Sequence, residues 1–166
     1  MKPTIALIGM FLTLPIGAGS QPAFDRKQLE REVMSVLDAF SNAFNRQDAQ
    51  AEERTYHFPH YRLANGTMSE WDSPGSETEA WMSGTYKTLR ESGWDHSSFT
   101  RRRIVHLSDS KAHVDTEFTR YRKEGTVIVR VESLYIVTKE DGQWGIKMRS
   151  SFDRVIATPG HRKNLK

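Results

Sequence analysis

From Ser98 to Phe152 apolar residues recur at every second position between short turn signals, the period of a half-buried strand. The turns fall at Ser108-Asp109-Ser110-Lys111, Lys123-Glu124-Gly125-Thr126 and Glu140-Asp141-Gly142-Gln143. The last two contain the glycine that hairpin loops use for positive φ. This stretch reads as a four-strand antiparallel meander in which each strand pairs with its neighbour in the chain.

With two-residue loops at all three turns, the alternation assigns faces. Val105, Leu107, Val114, Phe118, Val129, Val131, Tyr135, Val137, Ile146, Met148 and Phe152 fall on the core side. Arg102, Ile104, Asp115, Glu117, Arg130, Glu132, Leu134, Lys147 and Arg149 fall on the other. Arg102, Glu117 and Glu132 then share one outer row, read either as a carboxylate pair tuned by a guanidinium or as a solvated ion-pair ladder or dimer face. On the core side Arg103, Thr116, Ser133 and Ser150 align across the four strands, with Arg120 and Tyr135 nearby. An unpaired buried hydroxyl costs about 1–3 kcal/mol, so such a row needs partners. Either a hydrated or ligand-filled cavity supplies them, or the hydroxyls bond local backbone and Arg103 snorkels out at the sheet edge.

Upstream the period changes to that of helices. Asp25 with Gln28 forms a capping box, and Leu29, Val33, Val36, Leu37, Phe40 and Phe44 follow on one helical face. Asn45 to Asp48 ends this helix, and Asp48 caps a short second one running to about Arg54. Tyr56-His57-Phe58-Pro59 leads into a hairpin, His60 to Ala64 and Thr67 to Asp72, turning at Asn65-Gly66. Pro59 fits only the start of a strand. Ser76 with Glu79 makes a capping box for a third helix that carries Trp81, Met82, Thr85, Tyr86 and Leu89, with Gly93 as its C-terminal cap. The fold class is therefore α+β: three N-terminal helices on a strongly curved antiparallel sheet, in the order helix, helix, hairpin, helix, four-strand meander.

The 166 residues, 37% hydrophobic, suffice for one core, and the folded domain is expected over 25–153 with a basic tail over 154–166. Although the pI is near 9.2, the 24 basic residues are interleaved with 21 acidic ones. Arg101-Arg102-Arg103 alternates between strand faces, so no basic patch for nucleic acid forms. Lys2, the apolar run Ile5 to Leu14, Pro15 and Gly17-Ala18-Gly19-Ser20 stand in the order of a signal peptide over 1–20, which implies a periplasmic or secreted protein. An uncleaved anchor and a wrongly chosen start are the alternatives, and the run is too short for a stable membrane span. The chain has no cysteine, hence neither a disulfide framework nor a thiol nucleophile. Asn65-Gly66-Thr67 fits a glycosylation sequon, but Asn-Gly is better explained as a turn.

Ala43-Phe44-Asn45-Arg46-Gln47-Asp48, similar to an Asn-x-x-Asp helix ending, and Asp141-Gly142-Gln143-Trp144-Gly145-Ile146 at the last hairpin sit at matching places in this element order. From Leu29 to Phe152 the chain resembles the nuclear transport factor 2-like or SnoaL-like family of cone-shaped, cystatin-like domains. The resemblance implies a cavity between sheet and helices and does not imply one chemistry, since the family includes ketosteroid isomerase, scytalone dehydratase, limonene epoxide hydrolase, polyketide cyclases and non-catalytic binding domains. The isomerase constellation is not matched. Its tyrosine position is Phe40, its base falls near Arg62 to Ala64 where no carboxylate stands, and its protonated aspartate falls at Ser133 or Glu132.

Candidate site residues follow. His57 and His60 precede or enter the first hairpin, beside the expected cavity mouth, and are the candidates for a general base. Their spacing also raises metal binding, but no third ligand is evident, and neither metal nor cofactor is expected. Arg103, Thr116, Arg120, Ser133, Tyr135 and Ser150 are candidates for contacting a ligand from the sheet, and Tyr56, Trp81 and Tyr86 from the opposite wall. Three functions stay open. One is a binding domain for a small apolar molecule, one a cofactor-independent lyase or isomerase acting on an apolar carbonyl compound through a histidine base, and one a module that homodimerises through its outer sheet face.

Overall fold

A computed structural model describes residues 25–152. The leader expected at 1–20 and the tail at 154–166 lie outside the described residues. The element order is α1 Arg26–Arg46, α2 Ala49–Glu53, β1 Tyr56–Ala64, β2 Thr67–Trp71, α3 Ser76–Glu91, β3 His96–Leu107, β4 Lys111–Tyr121, β5 Val127–Glu140 and β6 Gln143–Ser151. The strands form one curved, open sheet in the order β2-β1-β6-β5-β4-β3. All neighbours are antiparallel except β1 and β6, which are parallel. The sheet is thus mixed rather than purely antiparallel, because β1 and β6 meet from opposite ends of the domain and no hairpin constrains their direction.

Local signals explain the helix boundaries. Asp25 accepts a hydrogen bond from the Gln28 backbone N–H at 3.0 Å and starts α1, and Asp48 does the same for α2 through Ala51 at 2.9 Å. Between them Gln47 takes the left-handed conformation at φ 56°. The Asn-x-x-Asp ending therefore has two separate tasks. Asp48 caps, while Asn45 binds both backbone polar groups of Ser97 at 2.8 Å, tying the end of α1 to the start of β3. The α3 start differs from expectation. Ser76 is its first helical residue, Gly75 is the cap, and the Gly75 N–H donates instead to the Glu53 carboxylate at 2.7 Å. At the other end Gly93, at φ 77°, lets the Trp94 N–H reach the Leu89 carbonyl at 3.1 Å, a Schellman closure.

Val33, Leu37, Phe40 and Phe44 of α1 and Met82, Tyr86 and Leu89 of α3 pack on Val114, Tyr135, Val137 and Ile146 of the concave sheet face. Each is buried at its expected period. Truncating a fully buried one such as Leu37 to alanine costs about 2–5 kcal/mol.

The faces of the meander hold only in part, since it contains four bulges. Only Asp141-Gly142 is a two-residue loop; the other two connections span 108–110 and 122–126. Pairing jumps past Thr100 and Val105 in β3, Ile128 in β5 and Lys147 in β6. Each extra residue inverts the faces beyond it. Ile104 therefore packs on the core and Val105 is 39% exposed, the reverse of the regular alternation. Pro59 sits inside β1, where pairing with β6 is interrupted between Tyr56 and Tyr61, so its missing N–H breaks no ladder bond.

Candidate functional site

The bulge at Lys147 decides the site. It turns Arg149 from the outer face, where regular alternation puts it, to the concave face opposite Tyr135. Its guanidinium lies 5.7 Å from the Phe40 ring centre and 5.9 Å from that of Tyr135. Such cation–π contacts stabilise by about 0.5–2 kcal/mol each, depending on desolvation. Next to it in the ladder is Arg62 of β1, whose Nε is buried without a hydrogen-bond partner and whose guanidinium covers the Trp81 ring at 5.6 Å. Burial first, and Arg149 second, lower the Arg62 pKa to about 10. Among the described residues no carboxylate comes within 4.0 Å of either guanidinium.

Arg149 lines a half-open cleft with an interior of about 20 Å³. The α1 wall presents Phe40, Ser41 and Phe44, and the β3 wall presents Ser97, Ser98 and Phe99. Phe118 and Arg120 of β4 and Tyr135 of β5 complete it. Phe40 and Phe99 each meet the Tyr135 ring edge to face, at 5.8 and 6.0 Å. The Tyr135 hydroxyl is buried and finds no partner of hydrogen-bonding geometry among the described residues. Among the described residues no acidic side chain lines the cleft, and its charged residues are Arg120 and Arg149.

Behind this cleft lies a polar cluster that sequence reading missed. Glu52 of α2 is 2% exposed and accepts hydrogen bonds from the Tyr56 hydroxyl at 2.6 Å and from the Tyr86 hydroxyl. Burial raises its pKa, and the two phenols oppose the rise. Its signal was present in the Asp48 cap, which fixes α2 and so aims Glu52 inward, but an acidic residue on a short helix ordinarily faces water.

The two histidines part company. His60 is 2% exposed, stacks on Tyr56 at 3.9 Å, and its Nδ1 donates to the Ile146 carbonyl at 3.0 Å. A carbonyl only accepts, so the proton resides on Nδ1 and Nε2 is the acceptor. Burial lowers the His60 pKa to about 4, so the ring is neutral at pH 7. His57 is on the opposite sheet face, bonded to Thr138 at 2.9 Å and 3.5 Å from Glu140. Neither histidine lines the cleft. Among the described residues no group of three His, Cys, Asp or Glu has a metal-binding arrangement.

The polar row is shifted. Its members are Arg102, Thr116, Ser133 and Ser151, because the bulges at Val105 and Lys147 each shift the register by one. Thr116 donates to the Ser133 carbonyl at 3.0 Å and Ser133 to the Ser151 hydroxyl at 2.9 Å, while Arg102 pairs with Asp38 of α1. Arg103 is on the outer face, 72% exposed, beside Asp115, and Ser150 is on that face opposite Leu134. The outer ion-pair row likewise uses Arg101 rather than Arg102, within 3.3 Å of Glu132. Of the sheet residues expected to face a ligand, Arg120 and Tyr135 line the cleft. From the opposite wall, Tyr56 and Tyr86 converge on Glu52, and Trp81 lies between Trp71 and Arg62.

Residues 31–150 match the family model described as NTF2-like protein (DUF6841). The chain belongs to this NTF2-like family. No curated protein sequence matches it. Solved structures with the same fold include an NTF2-like protein with a cystatin-like fold from Novosphingobium aromaticivorans, 13% identical, TM-score 0.64, covering 84% of this chain and 90% of that one. A protein with a cystatin-like fold from Nostoc punctiforme is 15% identical at TM-score 0.63, covering 78% and 93%. A ketosteroid isomerase-like protein from Erwinia carotovora atroseptica is 18% identical at TM-score 0.57, covering 79% and 98%. These likenesses establish the NTF2-like cone for this chain.

Proposed function

We propose that this NTF2-like domain binds a small, flat, apolar molecule in the cleft between α1 and the concave sheet face. The observation that carries the reading is the wall of Phe40, Phe44, Phe99, Phe118 and Tyr135 around this half-open cleft, with the Tyr135 hydroxyl inside. Aromatic walls with few polar groups suit a ligand held by shape and apolar burial, and a polar group within them fixes its orientation. Ser41 and Ser98 leave room at the mouth that larger residues would fill.

A lyase or isomerase using His60 as base is the second reading. It is favoured by the neutral ring with its Nδ1 proton fixed on the Ile146 carbonyl. His60 lies outside the cleft lining, so this reading needs a ligand reaching past Arg149 toward Tyr56, and the binding reading is preferred.

Thermal unfolding with a neutral bicyclic probe, 2-naphthamide, tests the binding reading. The parent gains several degrees at saturating probe, because a ligand that binds only the folded state adds RT ln(1 + [L]/Kd) to its stability. Ser41→Trp, which fills the mouth from α1, abolishes the gain. Equal responses from the two proteins, or none from the parent, would refute the reading.

A further inference from the structure

We infer that the ligand of this cleft is an organic acid, with its carboxylate on Arg149 and its apolar ring against the wall of Phe40, Phe99 and Tyr135. This rests on the ligand-binding reading above and names the class of molecule bound. Among the described residues the lining holds Arg149 and no acidic side chain. Arg149 makes no ion pair within 4.0 Å among the described residues, and Arg62, its neighbour in the ladder, makes none either. Two adjacent, partly buried guanidiniums repel, and the nearest compensation in the fold is Glu52, already engaged by two phenols. An anion entering the cleft lowers the energy of the whole cluster.

The shape of the site selects among anions. A guanidinium presents a planar fork that matches the two oxygens of a carboxylate. The Tyr135 hydroxyl, buried beside Arg149, can donate a further hydrogen bond. The remaining lining is aromatic, which rewards an attached apolar ring and gives a bare inorganic anion nothing to pack against. The bulge at Lys147 brings the Arg149 guanidinium onto the concave face beside Tyr135.

Calorimetric titration of the full-length protein with 2-naphthoate and 2-naphthamide separates this inference from the reading it rests on. The two probes share size and ring and differ in charge. The naphthoate is expected to bind at least tenfold more tightly than the amide. Arg149→Met should bring the two affinities to within about twofold while amide binding persists, which also shows that the variant is folded. Inorganic phosphate at constant ionic strength should not displace the naphthoate. Equal binding of acid and amide to the parent would overturn the carboxylate assignment and leave the apolar cleft standing. Binding of neither would overturn both. A preference for acid that survives Arg149→Met, or full displacement by phosphate, would also contradict the assignment.

Discussion

Arg62 of β1 and Arg149 of β6 are register partners on parallel strands, so two guanidiniums are held side by side without a carboxylate between them. The cost falls on Arg62, whose pKa drops to about 10 through burial and through Arg149. A cation whose folded pKa is depressed releases its proton more easily folded than unfolded, so its charge opposes folding at every pH below that value. Arg62→Met keeps the stem over Trp81 and removes the charge. Solvent contact screens part of the penalty, so the variant should gain about 0.5–1 kcal/mol in urea unfolding. A loss of stability would mean that Arg62 has an anionic partner in the folded protein.

His60 makes the opposite kind of pH contribution from Glu52. Its folded pKa is about 4 against an ordinary 6.5, so the unfolded chain takes up a proton that the native state refuses. Its share of stability is whole above pH 6.5 and is lost as pH falls toward 4, amounting to about 3 kcal/mol. His60→Phe preserves the stacking on Tyr56 and should lose less stability than the parent over that window. Parallel curves would remove the assignment.

Glu52 has a raised pKa, so its protonated form is favoured by folding. That contribution is complete below the ordinary value of 4.5 and disappears as pH rises through the folded pKa. Glu52→Gln keeps an acceptor for the two phenols, and its stability relative to the parent should improve as pH rises above 4.5. Glu52→Ala leaves the Tyr56 and Tyr86 hydroxyls buried without their acceptor and should cost about 2–4 kcal/mol at pH 7. Chemical denaturation across pH reads both, and a harmless Glu52→Ala would contradict the buried network.

Gly145 is a packing constraint. A Cβ there would meet the His57 ring at 2.5 Å, so Gly145→Ala must displace the imidazole from its bond to Thr138. The expected loss is about 1–3 kcal/mol. In a His57→Ala background the same change should cost under about 0.5 kcal/mol, because the obstacle is gone. Equal costs in the two backgrounds would place the strain elsewhere.

These residues also show where the sequence was readable. The helix faces of Val33 to Phe44 and Met82 to Leu89, the Asp25 and Asp48 caps and the Asn65-Gly66 and Asp141-Gly142 turns depend on near neighbours, and local pattern located them. Thr116 opposite Ser133 was also legible, because the bulge at Ile128 offsets the odd length of the loop at 122–126 and restores the regular register. Arg149, Arg103 and Ser150 were misplaced because one extra residue in a strand reverses every face beyond it, and Val105 and Lys147 look like ordinary strand residues. Glu52 and Arg62 were passed over for a different reason: their burial is a property of the assembled cone, created when β1 pairs with β6 and α2 packs against α3.

The cleft between α1 and the sheet is the center of the account, and amide chemical-shift mapping tests it most directly. On titration of the labelled protein with 2-naphthoate, shifts should concentrate at Ser41, Ser97 to Phe99, Tyr135 and Arg149 and leave Arg101, Asp115 and Glu132 of the outer face unmoved. Shifts confined to that outer face, or no shifts at millimolar probe, would contradict the assignment of a binding site to this cleft.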